Sequence, residues 1–160
     1  MSREPCTPNE LTPQGGLSEA GVHRVLGYQL AQATILTTEA FVRVVGKPFD
    51  LRPVEFTILQ LIRDNPPVTV TGLAKALAMT VPGVTIWLDR LEPRGLIVRE
   101  RSQTDRRASH LKLTREGGVL VAQALTRLLE ADRELLQDLS EGEQAMLLEL
   151  LHKVAAARRR

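Results

Sequence analysis

Apolar residues recur at three- and four-residue steps along most of this chain, a pattern that predicts a mainly α-helical protein. The first series begins near Ser18 and ends at Gly46 and Pro48, residue types that terminate helices. Its apolar members are Val22, Leu26, Leu30, Ala33, Leu36, Ala40 and Val44. We therefore predict one long helix over about residues 18–46, of the kind that often serves dimerisation.

Three shorter helices are predicted after this one. The second begins at Pro53, because proline suits the first helical position, and it ends at the Asn65-Pro66-Pro67 break. The third extends from about Thr71 to Ala78. The fourth begins near Thr80 and ends before Pro93.

Beyond the fourth helix the pattern changes from helical steps to short extended runs. Residues 96–101 and 109–113 are predicted as two strands joined by the polar segment 102–108, which together form a β-hairpin. Thr114 is placed to cap a fifth helix. Ser140 and Glu143 have the spacing of a capping box, which predicts the start of a sixth helix. The last two helices together occupy about residues 114–157.

The ends of the chain differ in composition from its middle. Residues 1–16 contain three prolines and two glycines with few apolar residues, which predicts a flexible N-terminal arm. Residues 17–160 are enough for one domain with a substantial core. The sequence shows neither a membrane-spanning apolar run nor a signal-peptide pattern, so we expect a cytoplasmic protein.

Charge is sorted along the chain although the formal net charge is only +2. Residues 86–115 contain eight basic and four acidic residues, a net charge of +4. Residues 116–150 contain eight acidic and two basic residues, a net charge of −6. A basic segment held apart from an acidic one suits a polyanionic partner such as nucleic acid. Aromatic residues make up 3% of the sequence, which disfavours a protein that stacks single-stranded bases.

The third and fourth predicted helices have the spacing of a helix-turn-helix. Ala74 provides the small residue where two such helices cross, and Leu73, Val84 and Leu88 anchor them on the core side. With these anchors on the core side, the first residues of the fourth helix face solvent, in the position from which a recognition helix contacts base edges in the major groove. The outward residues are Thr80, Val81, Pro82, Gly83, Thr85, Ile86 and Asp89.

The tip of the predicted hairpin, residues 103–107, is too polar to pack into a core. Its adjacent arginines Arg106 and Arg107 suit a narrow, negatively charged minor groove. In all, the residues predicted to contact DNA are Thr80, Val81, Pro82, Gly83, Thr85, Arg90, Arg101, Thr104, Asp105, Arg106 and Arg107.

Four short motifs in this region resemble the MarR family of bacterial transcriptional regulators. They are Leu88-Asp89-Arg90-Leu91-Glu92, Gly95-Leu96-Ile97, Asp105-Arg106-Arg107 and Leu113-Thr114. The resemblance extends from about Gly21 to Val154. It implies a winged helix-turn-helix fold with six helices and a small β-hairpin wing. It also implies a homodimer held by the first, fifth and sixth helices, with a pseudo-palindromic double-stranded DNA operator as partner.

The same resemblance implies roles for two residues of the wing. Arg107 matches the arginine that enters the minor groove. Asp105 matches the acid that braces the wing, against a nearby arginine such as Arg90.

The sequence departs from the family pattern at two places. Arg52 stands where a capping serine or threonine is frequent, and Val81-Pro82-Gly83 makes the start of the recognition helix less polar than usual. We therefore expect base reading by Thr80, by Thr85 and by apolar contact with thymine methyl groups.

A polar set in the first half of the long helix is a candidate effector site. It contains His23, Arg24, Tyr28 and Gln32, in the region where similar proteins line a pocket. His23 and Arg24 suit a carboxylate, and Tyr28 or Gln32 suits a phenol or amide. The expected effector is an aromatic acid or its CoA thioester. A wet helix surface or a dimer contact is the competing interpretation.

Two alternative modes of regulation stay open. Cys6, the single cysteine, would make the chain an oxidant sensor if its thiol had a lowered pKa and a fixed position. The chain could also be an architectural DNA binder without an effector.

An enzyme is the class that the sequence disfavours most. His23, His110 and His152 share no metal-ligand spacing, and neither a phosphate-binding glycine loop nor a nucleophile motif is present. We therefore expect no catalytic activity, no cofactor and no metal. Trp87 is expected to pack on or beside the core face of the fourth helix.

Overall fold

Residues 11–101 and 109–159 are the part of the chain that the computed structural model describes. They contain six helices of at least eight residues and a three-stranded antiparallel sheet. The chain divides into two compact units, one ending at Glu39 and the other beginning at Ala40. The predicted boundary between an arm and a domain at residue 17 stays a prediction.

The first unit contains a turn followed by the start of helix α1 (Leu26–Phe41). Leu11 and Ser18 form an antiparallel bridge, so residues 11–18 make a small ordered turn. The prediction that the first helix begins near Ser18 is wrong. The backbone N–H groups of Val22 and His23 both donate to the Glu19 carbonyl, at 2.8 and 2.7 Å, within a turn that precedes the helix.

Within the second unit the helical path continues past Phe41. A π-helical turn, Val42–Gly46, and one α-helical turn, Lys47–Phe49, follow without a break. The helical path therefore extends beyond the predicted end at Gly46. Pro48 is tolerated because it lies in the first turn of the new segment, where its missing N–H is not needed. Asp50, in the left-handed conformation with φ 49°, ends the path.

The next three helices lie where the sequence places them. Helix α2 is Pro53–Asp64, α3 is Val70–Leu77 and α4 is Val81–Leu91. Thr69 and Thr80 cap α3 and α4 by accepting the N–H groups of the glycines three residues later. The α3 and α4 axes differ by 113°, an angle typical of a helix-turn-helix.

The sheet confirms the predicted hairpin and adds a strand to it. Strands β2 (Ile97–Arg101) and β3 (Ser109–Leu113) pair antiparallel, with Ile97 opposite Leu113. Strand β1, Val68–Thr69, pairs with the other edge of β3, with Val68 opposite Leu111. Strand β1 was not predicted, because a two-residue strand has no periodicity of its own.

Two further helices complete the second unit: α5 is Arg115–Leu135 and α6 is Glu141–Ala156, with a 3₁₀ turn at Ala157–Arg159. The predicted capping box of α6 is present. Glu143 Oε2 accepts the Ser140 N–H at 2.8 Å, and Ser140 Oγ accepts the Glu143 N–H at 3.4 Å.

The core of the second unit lies between α2, α4, α5 and the sheet. Its fully buried side chains include Ile58, Leu59, Ile62, Leu73, Val84, Leu88, Leu91, Ile97, Leu111 and Val121. Trp87 is half-buried and packs against this core, as expected.

Gly117 lets α5 approach the sheet closely. A Cβ at this position would lie 2.0 Å from the Leu96 carbonyl oxygen, whereas a Cβ at Gly118 would meet nothing within 4 Å. Thr114 fixes the same junction, because its hydroxyl donates to the Gly95 carbonyl at 2.6 Å and accepts the Gly117 N–H at 2.9 Å.

Candidate nucleic-acid interface and effector site

The predicted base-reading residues lie on the solvent side of α4 and at its start. Thr80, Val81 and Pro82 are exposed, and Gly83 and Thr85 are half-buried. Both threonine hydroxyls already bond within the helix. Thr80 Oγ1 accepts the Gly83 N–H at 3.2 Å, so its own proton can be donated to DNA. Thr85 Oγ1 donates to the Val81 carbonyl at 2.9 Å, so its lone pairs can accept from DNA.

Arg90, which the sequence analysis assigned to DNA, is bound to a buried carboxylate. Its Nε donates to Glu55 Oε1 at 3.1 Å, and Glu55 is 1% exposed. The other oxygen, Oε2, accepts the Arg52 N–H at 2.8 Å at the start of α2. Glu55 therefore supplies the half of a capping box in which the N3 carboxylate accepts the N-cap N–H, and it joins the first turn of α2 to the last turn of α4.

The ring of Trp87 lies close to the guanidinium groups of Arg52 and Arg90. The guanidinium carbons of Arg52 and Arg90 lie 5.5 and 5.7 Å from its ring centroid. These are cation–π distances, which favour the ring orientation that the core contacts already impose. These contacts make Trp87 part of the support of α4.

A second set of ion pairs joins α4 to the wing. Arg99, on β2, bonds Asp89, and its Nε lies 3.1 Å from Glu92 Oε2. Asp89 lies in the last turn of α4 and Glu92 follows the helix in the same right-handed conformation, so the two carboxylates, three residues apart, face the same strand. Arg99 was predicted only as part of a basic segment, although the three-residue spacing of Asp89 and Glu92 indicates a common cationic partner.

The base of the wing is described, but its tip is not. Arg101 pairs with Ser109 at the last described position of the hairpin, and Lys112 Nζ lies 2.7 Å from Glu100 Oε2. The predicted DNA contacts Thr104, Asp105, Arg106 and Arg107 lie outside the described residues, and so does the proposed Asp105–Arg90 brace.

Three of the four predicted effector residues form a network with a carboxylate, Glu19, that was not among the predicted site residues. Glu19 is 7% exposed, and its Oε2 accepts the Tyr28 hydroxyl at 2.6 Å. His23 Nδ1 lies 3.4 Å from Glu19 Oε1, and Gln32 Nε2 donates to Tyr28 Oη at 3.0 Å. Among the described residues, Arg24 makes no ion pair and is exposed.

Glu19 changes the chemistry expected of this network. Donation to its carboxylate raises the pKa of Tyr28 above the ordinary value of 10.0, so the phenol stays protonated and keeps its donor role. His23 faces a carboxylate of the protein itself, which weakens the expectation that His23 and Arg24 together hold a carboxylate of a ligand. Arg24 makes no ion pair among the described residues, so its guanidinium group is available to bind an anionic ligand.

The described residues offer neither a metal site nor a single helix that could cross a membrane. They contain no cluster of three histidine, cysteine or acidic side chains that could hold a metal ion. Taken one at a time, none of their helices is both long and apolar enough to cross a membrane; the bent pair Val70–Leu77 and Val81–Leu91 meets that criterion jointly, by length and composition alone. Cys6, the candidate redox residue, lies outside the described part of the chain.

A helix-turn-helix whose second helix presents its first turn to solvent, followed by an antiparallel hairpin, defines a winged helix-turn-helix DNA-binding protein. The sequence profile of the MarR family matches residues 51–109, from the start of α2 into the wing. An uncharacterised HTH-type transcriptional regulator of Bacillus cereus is 37% identical over 109 residues, which cover 68% of this chain and 72% of that protein. This chain belongs to the MarR family of transcriptional regulators.

Solved structures agree with this assignment. The transcriptional repressor CouR, bound to a 23-mer DNA duplex, is 33% identical and superimposes with a TM-score of 0.80 over 87% of this chain and 98% of CouR. A cysteine-to-serine variant of MarR from E. coli, complexed with operator DNA, is 28% identical with a TM-score of 0.72, over 81% and 92% of the two chains. The predicted fold class and family are therefore confirmed, and homodimers are typical of this family.

Proposed function

We propose that this chain is a cytoplasmic, homodimeric repressor without enzymatic activity that binds a pseudo-palindromic operator until a small aromatic acid or its CoA thioester releases it. The observation that carries the proposal is the exposed start of α4 in a helix that two ion pairs near its other end hold against α2 and β2. Glu55 fixes its last turn to α2, and Arg99 fixes its outer face to β2. A recognition helix and wing that move as one unit suit simultaneous major- and minor-groove contact.

The repressor mode is supported by CouR, a transcriptional repressor that aligns with this chain over nearly the whole length of CouR.

The dimer is supported by the apolar surface of α6, which has no buried residue in the single chain. Met146 and Leu148 are 60% and 63% exposed. Apolar helices left this open in one chain are expected to pair with a second copy around a two-fold axis.

The DNA-binding part of the proposal is tested by comparing Arg107→Ala with Arg133→Ala. Duplexes that the protein prefers are first selected from random sequences. We expect Arg107→Ala to weaken binding of the preferred duplex by about 1–3 kcal/mol and to lower the slope of affinity against salt, because a minor-groove charge is lost. Arg133, an exposed residue of α5 outside the predicted DNA contacts, serves as the control. Equal effects of the two substitutions would contradict the assignment of the wing.

A second comparison tests the recognition helix. Thr85→Ala should change the preference among operator variants while leaving non-specific binding nearly intact, because Thr85 contacts bases and not phosphates in this proposal. Losses that are equal on every sequence would show that α4 is not the reading element.

The effector part of the proposal rests on Arg24, Tyr28 and Gln32. Because Glu19 places a negative charge among them, a thioester, whose carbonyl is neutral, should be accommodated with less repulsion than a free carboxylate. Aromatic acids and their thioesters are screened by thermal shift and then by competition with operator DNA. The ligand and DNA must weaken each other by the same factor, since the coupling free energy is reciprocal.

Variants then locate the effector site. Glu19→Gln should improve binding of the free acid more than that of the thioester. If Arg24→Ala combined with Tyr28→Phe leaves the affinity of an effector unchanged, that effector binds elsewhere.

If no ligand is found, but peroxide releases DNA and Cys6→Ser abolishes the release, the protein is an oxidant sensor. If neither occurs, it is an architectural DNA binder.

A further inference from the structure

The charged side chains of α4 are already engaged within the protein. Asp89 is paired with Arg99, and Arg90 is paired with the buried Glu55. Arg90 also lies in the last turn of the helix, whereas the residues at the beginning of a recognition helix are those that meet base edges. The first turns of α4 therefore offer no arginine, lysine, asparagine or glutamine for the bidentate bonds that identify guanine or adenine.

The accessible surface of these turns is instead apolar. Ile86 is 63% exposed and Val81 is 43% exposed. Thr85 lies one turn after Val81, and its hydroxyl bond to the Val81 carbonyl fixes its rotamer. Val81, Thr85 and Ile86 thus provide three branched side chains on the side of the helix where a recognition helix faces DNA.

One base presents an apolar group in the major groove, namely thymine through its 5-methyl group. We infer that Ile86, assisted by Val81 and Thr85, selects the operator by contact with thymine methyl groups, so that each half-site carries thymine where α4 enters the major groove. This inference rests on the proposed function as a sequence-specific DNA binder, and it names the chemistry that this site reads.

The test replaces thymine by uracil, one position at a time, in the duplex selected by the wild-type protein. Uracil keeps every hydrogen-bonding group of thymine and lacks only the methyl group, so base pairing is unchanged. At the contacted thymines we expect about fourfold weaker binding per half-site, which corresponds to about 0.8 kcal/mol for one buried methyl-sized group. Thymines outside the recognition-helix footprint provide the control within the same duplex.

Variants at position 86 assign the effect to its side chain. Ile86→Ala should bind the thymine and uracil duplexes equally at the contacted position. Ile86→Val, which keeps a branched apolar group, should retain a preference for thymine. If Ile86→Ala lowers affinity but keeps the full wild-type ratio between thymine and uracil, the assignment of this residue is wrong.

The outcomes separate the inference from the proposed function. If the wild-type protein prefers its selected duplex over random DNA but no uracil substitution weakens binding, methyl recognition is wrong and sequence-specific DNA binding stands. If no duplex is preferred over random DNA, the proposed function fails, and the inference fails with it.

Discussion

Arg90 Nε donates to Glu55 Oε1 at 3.1 Å, and these residues are 35 positions apart in the sequence. The arginine side chain is half exposed, whereas the glutamate side chain is 1% exposed. This pair fixes the orientation of the recognition helix against α2, and it uses a cation that the charge pattern alone would have assigned to DNA.

Arg90→Ala should destabilise the folded protein by about 1–3 kcal/mol, because it leaves the buried Glu55 carboxylate without its charged donor. Chemical denaturation at a fixed protein concentration measures this change in the free energy of unfolding. Arg63→Ala is the matched control, since Arg63 is exposed on α2 and makes no ion pair within the described residues; we expect a change within about 0.5 kcal/mol. Equal effects of the two variants would mean that the Glu55–Arg90 pair contributes nothing to stability.

Gly117→Ala and Gly118→Ala should change stability in opposite directions although the two glycines are neighbours. A Cβ at Gly117 would lie 2.0 Å from the Leu96 carbonyl, so α5 must move away from the sheet, and we expect a loss of about 2 kcal/mol or more. A Cβ at Gly118 has open space, so alanine should stabilise the helix by up to about 1 kcal/mol. Thermal unfolding of both variants checks the prediction, and a tolerated Gly117→Ala would show that this junction is not closely packed.

The capping box of α6 should make stability depend on pH. Hydrogen bonds from the Ser140 hydroxyl and backbone N–H lower the pKa of Glu143 below its ordinary value of 4.5. A carboxyl group with a lowered folded-state pKa stabilises the folded protein above its unfolded-state pKa, and this contribution is lost as the pH falls through the folded-state value.

Glu143→Gln should therefore cost stability at neutral pH, and the difference from the wild type should disappear as the pH is lowered past 4.5. Glu141→Gln removes a charge from the same first turn and controls for the helix dipole. A cost of Glu143→Gln that does not vary with pH would contradict this account of the cap.

Removing all residues after Leu139 deletes α6 and should abolish the dimer. The remaining chain should be a monomer or aggregate, since α6 supplies exposed apolar residues such as Leu148 and Leu150 to the proposed interface. Analytical ultracentrifugation of this truncation is compared with one that ends at Ala156 and keeps the whole helix. A well-folded monomer from the shorter chain would contradict the proposed dimer architecture.

Local signals in the sequence determined the positions of most elements. Thr80, Thr114 and Ser140 each accept the N–H group three residues later, so the starts of α4, α5 and α6 depend on residues that are adjacent in the chain. The hairpin followed from two short extended runs joined by polar residues. These features were predictable because helical periodicity, caps and turns act over only a few residues.

Only the tertiary structure decided which charged residues are available to a ligand. Glu19 accepts the hydrogen bond of the Tyr28 hydroxyl, and Asp89 is paired with Arg99. The first helix starts at Leu26 and not near Ser18, because residues 19–25 form a turn that the apolar spacing did not distinguish from a helix. Strand β1 exists only through its pairing with β3, more than 40 residues later. Contacts of this kind depend on how distant segments pack, and periodicity along the chain carries no record of that packing.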